Sequence, residues 1–185
     1  MLAMLATWGE HLRELVPLSS WTRPVRLATD CSGTGSPEMA LMTIQPGGFD
    51  PDLVFACDIL PCSRTFLREN VQPTVLFKDL NGRKFEHDSI VGETVDGKTI
   101  RITRRDSDLD LYVVGFPCTP FSTRGARKGF ADVATKTFWQ VTKTITVIRP
   151  RIAILENVMG IVRGNSLKTV LHTLTSIRGY FWDIP

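Results

Sequence analysis

Short apolar runs alternate with helical patterns along most of the chain, and this alternation restricts the fold more than any other feature of the sequence. Val25-Arg26-Leu27-Ala28-Thr29 reads as a first strand, running into the glycine loop Ser32-Gly33-Thr34-Gly35 and a helix over about 36–44. Leu53-Val54-Phe55-Ala56-Cys57 reads as a second strand ending at Asp58, followed by a helix over 61–70 whose proline falls in the first turn, where its missing N–H costs little. Val75-Leu76-Phe77 is a short third strand ending at Asp79. Strands at Leu111–Val114 and Ile152–Leu155, and helices over about 136–148 and 165–177, continue the series. Strands that alternate with helices predict an α/β fold with a doubly wound, mostly parallel sheet. Between the third and fourth strands, Val95-Asp96-Gly97-Lys98 predicts a β-hairpin, because Asp-Gly accepts the positive φ angles of a tight turn. Arg104-Arg105 with Asp106, Asp108 and Asp110 reads as a solvated turn.

A chain of 185 residues with ordinary hydrophobic and charged content suits one domain over 25–185, preceded by a helix and connector over 1–24. Leu5, Trp8, Leu12 and Leu15 recur at helical spacing and predict an amphipathic helix lying on the domain. Glu10, Arg13 and Glu14 interrupt this stretch and no basic region precedes it, so it is not a secretion signal, and no membrane-spanning segment is predicted. The cysteines Cys31, Cys57, Cys62 and Cys118 lack paired metal spacing, which predicts a reduced intracellular protein without a metal site. A net charge of +3 is too small to diagnose nucleic-acid binding, although Arg124, Arg127 and Lys128 cluster where a phosphate backbone could pass.

The chemistry is concentrated in two places. Residues 115–122 read Gly-Phe-Pro-Cys-Thr-Pro-Phe-Ser, directly after the fourth strand, and Glu156-Asn157-Val158 follows the fifth. Carbon 5 of cytosine is too electron-poor to attack a methyl donor, but a thiolate adding at carbon 6 turns the ring into a nucleophilic enamine. A carboxylic acid at ring nitrogen 3 eases that addition by neutralising the charge that develops there. Cys118 suits the thiolate and Glu156 the acid.

The octet and the Glu-Asn-Val triplet resemble the two central motifs of the cytosine-5 DNA methyltransferase family. Cys31-Ser32-Gly33-Thr34-Gly35-Ser36 is similar to its first motif, Asp58 occupies its ribose-binding acidic position, and Asp79-Leu80 its adenine-contacting pair. The resemblance implies a Rossmann-like domain that uses S-adenosylmethionine as donor and DNA as substrate. It implies that Cys118 and Glu156 are catalytic, that Cys31, Gly33, Gly35, Ser36, Asp58, Ile59, Asp79, Leu80 and Pro117 hold the donor, and that Ser122, Asn157 and Arg124 meet the substrate. The target cytosine is then flipped out of the duplex, with Pro117 and Ser122 beside it. Location follows the source: the nucleus in a eukaryote, the cytoplasm in a bacterium.

Several positions depart from the family pattern. Cys31 stands where phenylalanine is usual, Thr119 where glutamine commonly follows the nucleophile, and Ala134-Thr135 where arginine-glycine is common. The chain ends at Pro185, ahead of the family's arginine-bearing motif, its target-recognition domain and its carboxyl-terminal helix, so the expectation is a catalytic half, incomplete at the carboxyl end, acting with a second polypeptide or a missing half. Two alternatives stay open: methylation of transfer RNA, and a catalytically silent or split binding module.

Overall fold

The structure, a computed structural model, describes residues 22–117, 135–157 and 166–182. Its elements are β1 (Arg26–Asp30), α1 (Ser36–Ile44), β2 (Asp52–Cys57), α2 (Pro61–Phe66), β3 (Val75–Phe77), β4 (Lys84–Phe85), β5 (Ser89–Glu93), β6 (Thr99–Thr103), α3 (Arg104–Ser107), β7 (Leu111–Gly115), α4 (Lys136–Ile148), β8 (Ile152–Glu156) and α5 (Ser166–Thr175). The five long-sheet strands run in the order β3-β2-β1-β7-β8, every neighbouring pair parallel. This is the doubly wound sheet expected from the alternation. The order reverses between β1 and β7, and such a switch point opens a crevice outside the carboxyl ends of the strands.

The two faces of the sheet carry separate cores. On one, Leu27, Leu53 and Ala56 pack with Leu67 and Val71 from the segment after α2 and with Leu41 and Met42 of α1. On the other, Ala28, Tyr112 and Val114 meet Phe138, Val141, Ile145 and Ile148 of α4 and Val170 and Leu174 of α5. Phe138, Val141 and Ile145 are fully buried. Their spacing of three and four residues puts them on one stripe of α4. An Ile145→Ala change there removes about 2–5 kcal/mol of packing.

Three local differences from the sequence expectations have physical causes. The helix expected over 61–70 is α-helical only through Phe66 and continues as a π-turn over Leu67–Val71, closed by an i→i+5 bond from Gln72 N to Leu67 O of 2.8 Å. The wider turn lets Leu67 and Val71 both bury against the sheet. The hairpin lies where Asp96-Gly97 put it, with Gly97 at φ +77, but it also gains β4 and forms a three-stranded antiparallel sheet. The stretch read as a solvated turn is a one-turn helix capped by Thr103, and Asp110 is a junction rather than a solvated charge. Its carboxylate accepts from Arg23 (2.6 and 2.7 Å), Arg151 (3.0 Å) and Arg26 N (2.9 Å), tying the starts of β1, β7 and β8 together. Burial acts to raise the Asp110 pKa, yet these cationic and N–H donors hold it below its ordinary value.

Candidate donor and nucleophile site

A cleft of about 430 Å³ opens at the carboxyl ends of β1, β2, β3 and β7, lined by Cys31, Cys57, Asp58, Ile59, Leu60, Asp79, Leu80, Asn81, Gly115, Pro117 and Thr137. Six of the residues named from sequence meet there: Cys31, Asp58, Ile59, Asp79, Leu80 and Pro117. They come from four strand ends, so only the closed sheet brings them together.

Asp58 is buried and divides its carboxylate between two loops. Oδ2 accepts from Gly33 N and Oδ1 from Leu60 N, each at 2.8 Å, which fixes the glycine loop against the start of α2. Each oxygen retains a free lone pair for a ligand hydroxyl. Asp79 caps the short turn at Leu80–Gly82, accepting Asn81 N on Oδ1 at 2.8 Å. Asn81 in turn donates to Thr137 Oγ1 at 3.1 Å, joining the cleft wall to the start of α4.

The glycines divide between two tasks. Gly33 has φ +55, and no described heavy atom lies within 4 Å of where a Cβ would sit, so space is open above it. Gly35, at φ +70, is a packing glycine: a Cβ there would sit 2.7 Å from Val71 Cγ2. Gly35 and the exposed Ser36, which opens α1, do not line the cleft.

Cys31 adopts φ 54 and is partly buried beside the cleft. Burial first, then the charges of Asp30 and Asp58, push its thiol up to about 12, and burial likewise pushes Cys57 well up. Both therefore stay protonated near neutral pH and act as packing groups rather than nucleophiles.

At the other lip, Glu156 ends β8 directly opposite Gly115 of β7. A Cβ on Gly115 would sit 3.1 Å from Glu156 Oε2, so the glycine leaves room for the carboxylate over the loop toward residue 118. Asn157 Nδ2 donates to Phe116 O at 2.9 Å and ties the two strand ends together. Cys118, Ser122 and Arg124, like Thr119, Arg127, Lys128, Ala134 and the helix expected over Leu5–Leu15, lie outside the described residues.

Behind the cleft runs a polar cluster that sequence reasoning missed. Asp30, the residue before Cys31, forms a two-pronged ion pair with Arg83 and accepts from Tyr112 Oη at 2.5 Å. Arg83 also donates to Thr144 at 2.9 Å and lies 5.2 Å from the ring centres of both Phe55 and Phe77. Burial opposes the Arg83 charge, but Asp30 outweighs it and holds the guanidinium pKa above its ordinary value. Nothing in Gly82-Arg83-Lys84 marks such a partner. Leu60, Asn81, Gly115 and Thr137 were also missed as lining residues, although Asn81 two positions after Asp79 is a readable capping signal. Among the described residues no group of His, Cys, Asp and Glu could hold a metal ion, and no helix is long and apolar enough to cross a membrane.

Residues 76–184 match the family described as C-5 cytosine-specific DNA methylase. Similar curated proteins include Type II methyltransferase M.BsuFI of Bacillus subtilis, 34% identical over 99 residues, covering 50% of this chain and 24% of that protein. Type II methyltransferase M.HpaII of Haemophilus parainfluenzae is 40% identical over 80 residues, covering 42% and 22%. Type II methyltransferase M.NgoBV of Neisseria gonorrhoeae is 29% identical over 145 residues, covering 72% and 30%. The matched stretch spans less than a third of the length of each of these relatives.

Proposed function

The chain belongs to the C-5 cytosine-specific DNA methylase family, and from that premise we propose that it transfers a methyl group from S-adenosylmethionine to carbon 5 of cytosine in DNA, through a covalent adduct on Cys118. The convergence of Asp58 and Asp79 on one cleft, beside the strand end that leads into Pro117-Cys118, carries the proposal. The bacterial relatives support action on a bacterial chromosome, in the cytoplasm rather than a nucleus.

The cleft's chemistry fits the donor. Two carboxylates with spare acceptor capacity stand beside the apolar Ile59 and Leu80, and Gly33 leaves the approach open. S-adenosylmethionine, when bound, supplies a methyl group activated by its sulfonium. Asp58 accepts the ribose hydroxyls while keeping the Gly33 and Leu60 N–H groups, which pre-orders the loop that receives them. Asp79 offers Oδ2 to the adenine amine, with Ile59 and Leu80 against the ring. Pro117 stiffens the entry to the nucleophile loop. The Cys118 thiolate adds to carbon 6 of cytosine, Glu156 holds or delivers a proton at nitrogen 3, and carbon 5 attacks the methyl group. Loss of the carbon 5 proton then expels the thiolate and restores the ring. Asn157 keeps Glu156 and the nucleophile loop in register, and Ser122 and Arg124 meet the substrate backbone.

The test is the identity of the methylated base. The protein is incubated with S-adenosylmethionine labelled on the methyl group and DNA whose cytosines stand opposite mismatches, which lowers the cost of flipping. The digest should contain 5-methylcytosine. Label on an exocyclic nitrogen, label in transfer RNA but not DNA, or donor binding with no transfer would overturn the assignment.

A further inference from the structure

We infer that the amino-terminal segment carrying Leu5, Trp8, Leu12 and Leu15 covers the half of the sheet face presented by Leu111, Val113, Ile152 and Ile154. Register assigns each of these side chains to a face. Leu27 pairs with Leu53 and Leu111, and Leu111 with Ile152, so all four form one row. Thr29, Ala56, Val113 and Ile154 form the next. Over β1 and β2, the row is covered by Leu41 and Met42 of α1 and by Leu67 and Val71. Over β7 and β8, no described element does the same. Leu111 and Val113 are only half-buried, and Ile152 and Ile154 remain 59% and 49% exposed. The opposite side of the same strands is closed: Ala153 and Leu155 pack into the core that holds Phe138 and Val170. Strands apolar on both sides belong to parallel sheets covered on both sides.

The chain tethers a fitting cover at the right corner. Arg23 is fixed to Asp110 by two hydrogen bonds, and Asp110 O accepts from Ile152 N at 2.9 Å, so the segment enters beside the starts of β7 and β8. Seven residues separate Leu15 from Arg23, a reach of up to about 27 Å. A helix over Leu5–Leu15 is about 16 Å long, and a five-residue strand is about 16 Å long too. Glu10, Arg13 and Glu14 fall between the apolar positions, which gives such a helix a charged side for solvent and a Leu-Trp-Leu-Leu stripe for the isoleucines.

Hydrogen exchange read by mass spectrometry on the whole 185-residue protein tests this, with sedimentation run at the same concentrations. Peptides from 1–15 should exchange about tenfold or more slower than an unstructured chain. Ile154→Asp, at a half-exposed position, and Leu12→Asp should each abolish that protection while peptides from β1 and α4 stay protected. Absence of protection in the unaltered protein, or protection that survives both substitutions, would overturn the inference. So would a dimer whose dissociation on dilution is what exposes the face, since a second copy would then be the cover.

Discussion

Arg83 and Asp30 meet in an ion pair of 2.6 and 2.7 Å whose side chains are 1% and 0% exposed, one residue behind the cleft wall at Cys31. A charge so deep survives only with its partner. Asp30→Asn strands the guanidinium between Phe55 and Phe77 and should cost about 3–5 kcal/mol, whereas Asp30→Leu with Arg83→Met should restore much of that loss. Urea unfolding of the three proteins checks this. A loss under about 1 kcal/mol in Asp30→Asn would mean that the pair does not hold the β1 end in place.

Asp58→Ala should weaken S-adenosylmethionine binding by about 1–3 kcal/mol, because the donor loses a charged acceptor and the glycine loop loses its anchor at Gly33 N. Asp58→Asn keeps an acceptor and should lie between the two. Equal affinity of all three by calorimetry would remove Asp58 from the donor site.

Cys31 should resist alkylation until donor and fold are both lost. With its thiol pushed up to about 12, the thiolate fraction at pH 8 is about one in ten thousand, against roughly a quarter for an ordinary cysteine. Iodoacetamide footprinting should label the exposed Cys62 first. Faster labelling at Cys31 than at Cys62 would contradict the burial and charge seen around it.

Glu38 is buried in α1, where Thr29 Oγ1 donates to Oε1 and Oε2 has no described partner. Burial raises its pKa, more than the Thr29 hydrogen bond lowers it. The folded protein therefore binds a proton that the unfolded chain has released above about pH 4.3. Its stabilising contribution is complete below that pH and falls as pH rises toward the folded-state pKa. Glu38→Gln should flatten the profile and exceed the unaltered protein in stability at pH 7–8. Parallel profiles from pH 4 to 8 would contradict this.

What could be read from the chain were the local features. Apolar runs ended by Asp58 and Asp79 marked strand ends, Asp96-Gly97 marked a turn, and Pro117-Cys118 after a buried strand marked a loop at the same end of the sheet. These residues act through their own backbone position, and spacing records that. Asp30 and Arg83 are 53 residues apart and meet only after β1 is buried, so no periodicity links them. Gly35 belongs to the same class, since its need comes from Val71 of the π-turn. The role of Asp110 was hidden because three arginines from different segments converge on it.

Covalent trapping tests the proposed chemistry most directly. In 5-fluorocytosine the carbon 5 substituent cannot leave as a proton does, so an enzyme that attacks carbon 6 and then methylates carbon 5 stays bound to its substrate. The protein, incubated with S-adenosylmethionine and an oligonucleotide carrying 5-fluorocytosine opposite a mismatch, should gain a mass adduct that maps to the peptide containing Cys118. Cys118→Ser should abolish the adduct, and Glu156→Gln should slow its formation by roughly a hundredfold or more. An adduct that persists in Cys118→Ser, or that maps to Cys31, Cys57 or Cys62, would contradict the assignment of Cys118 as nucleophile.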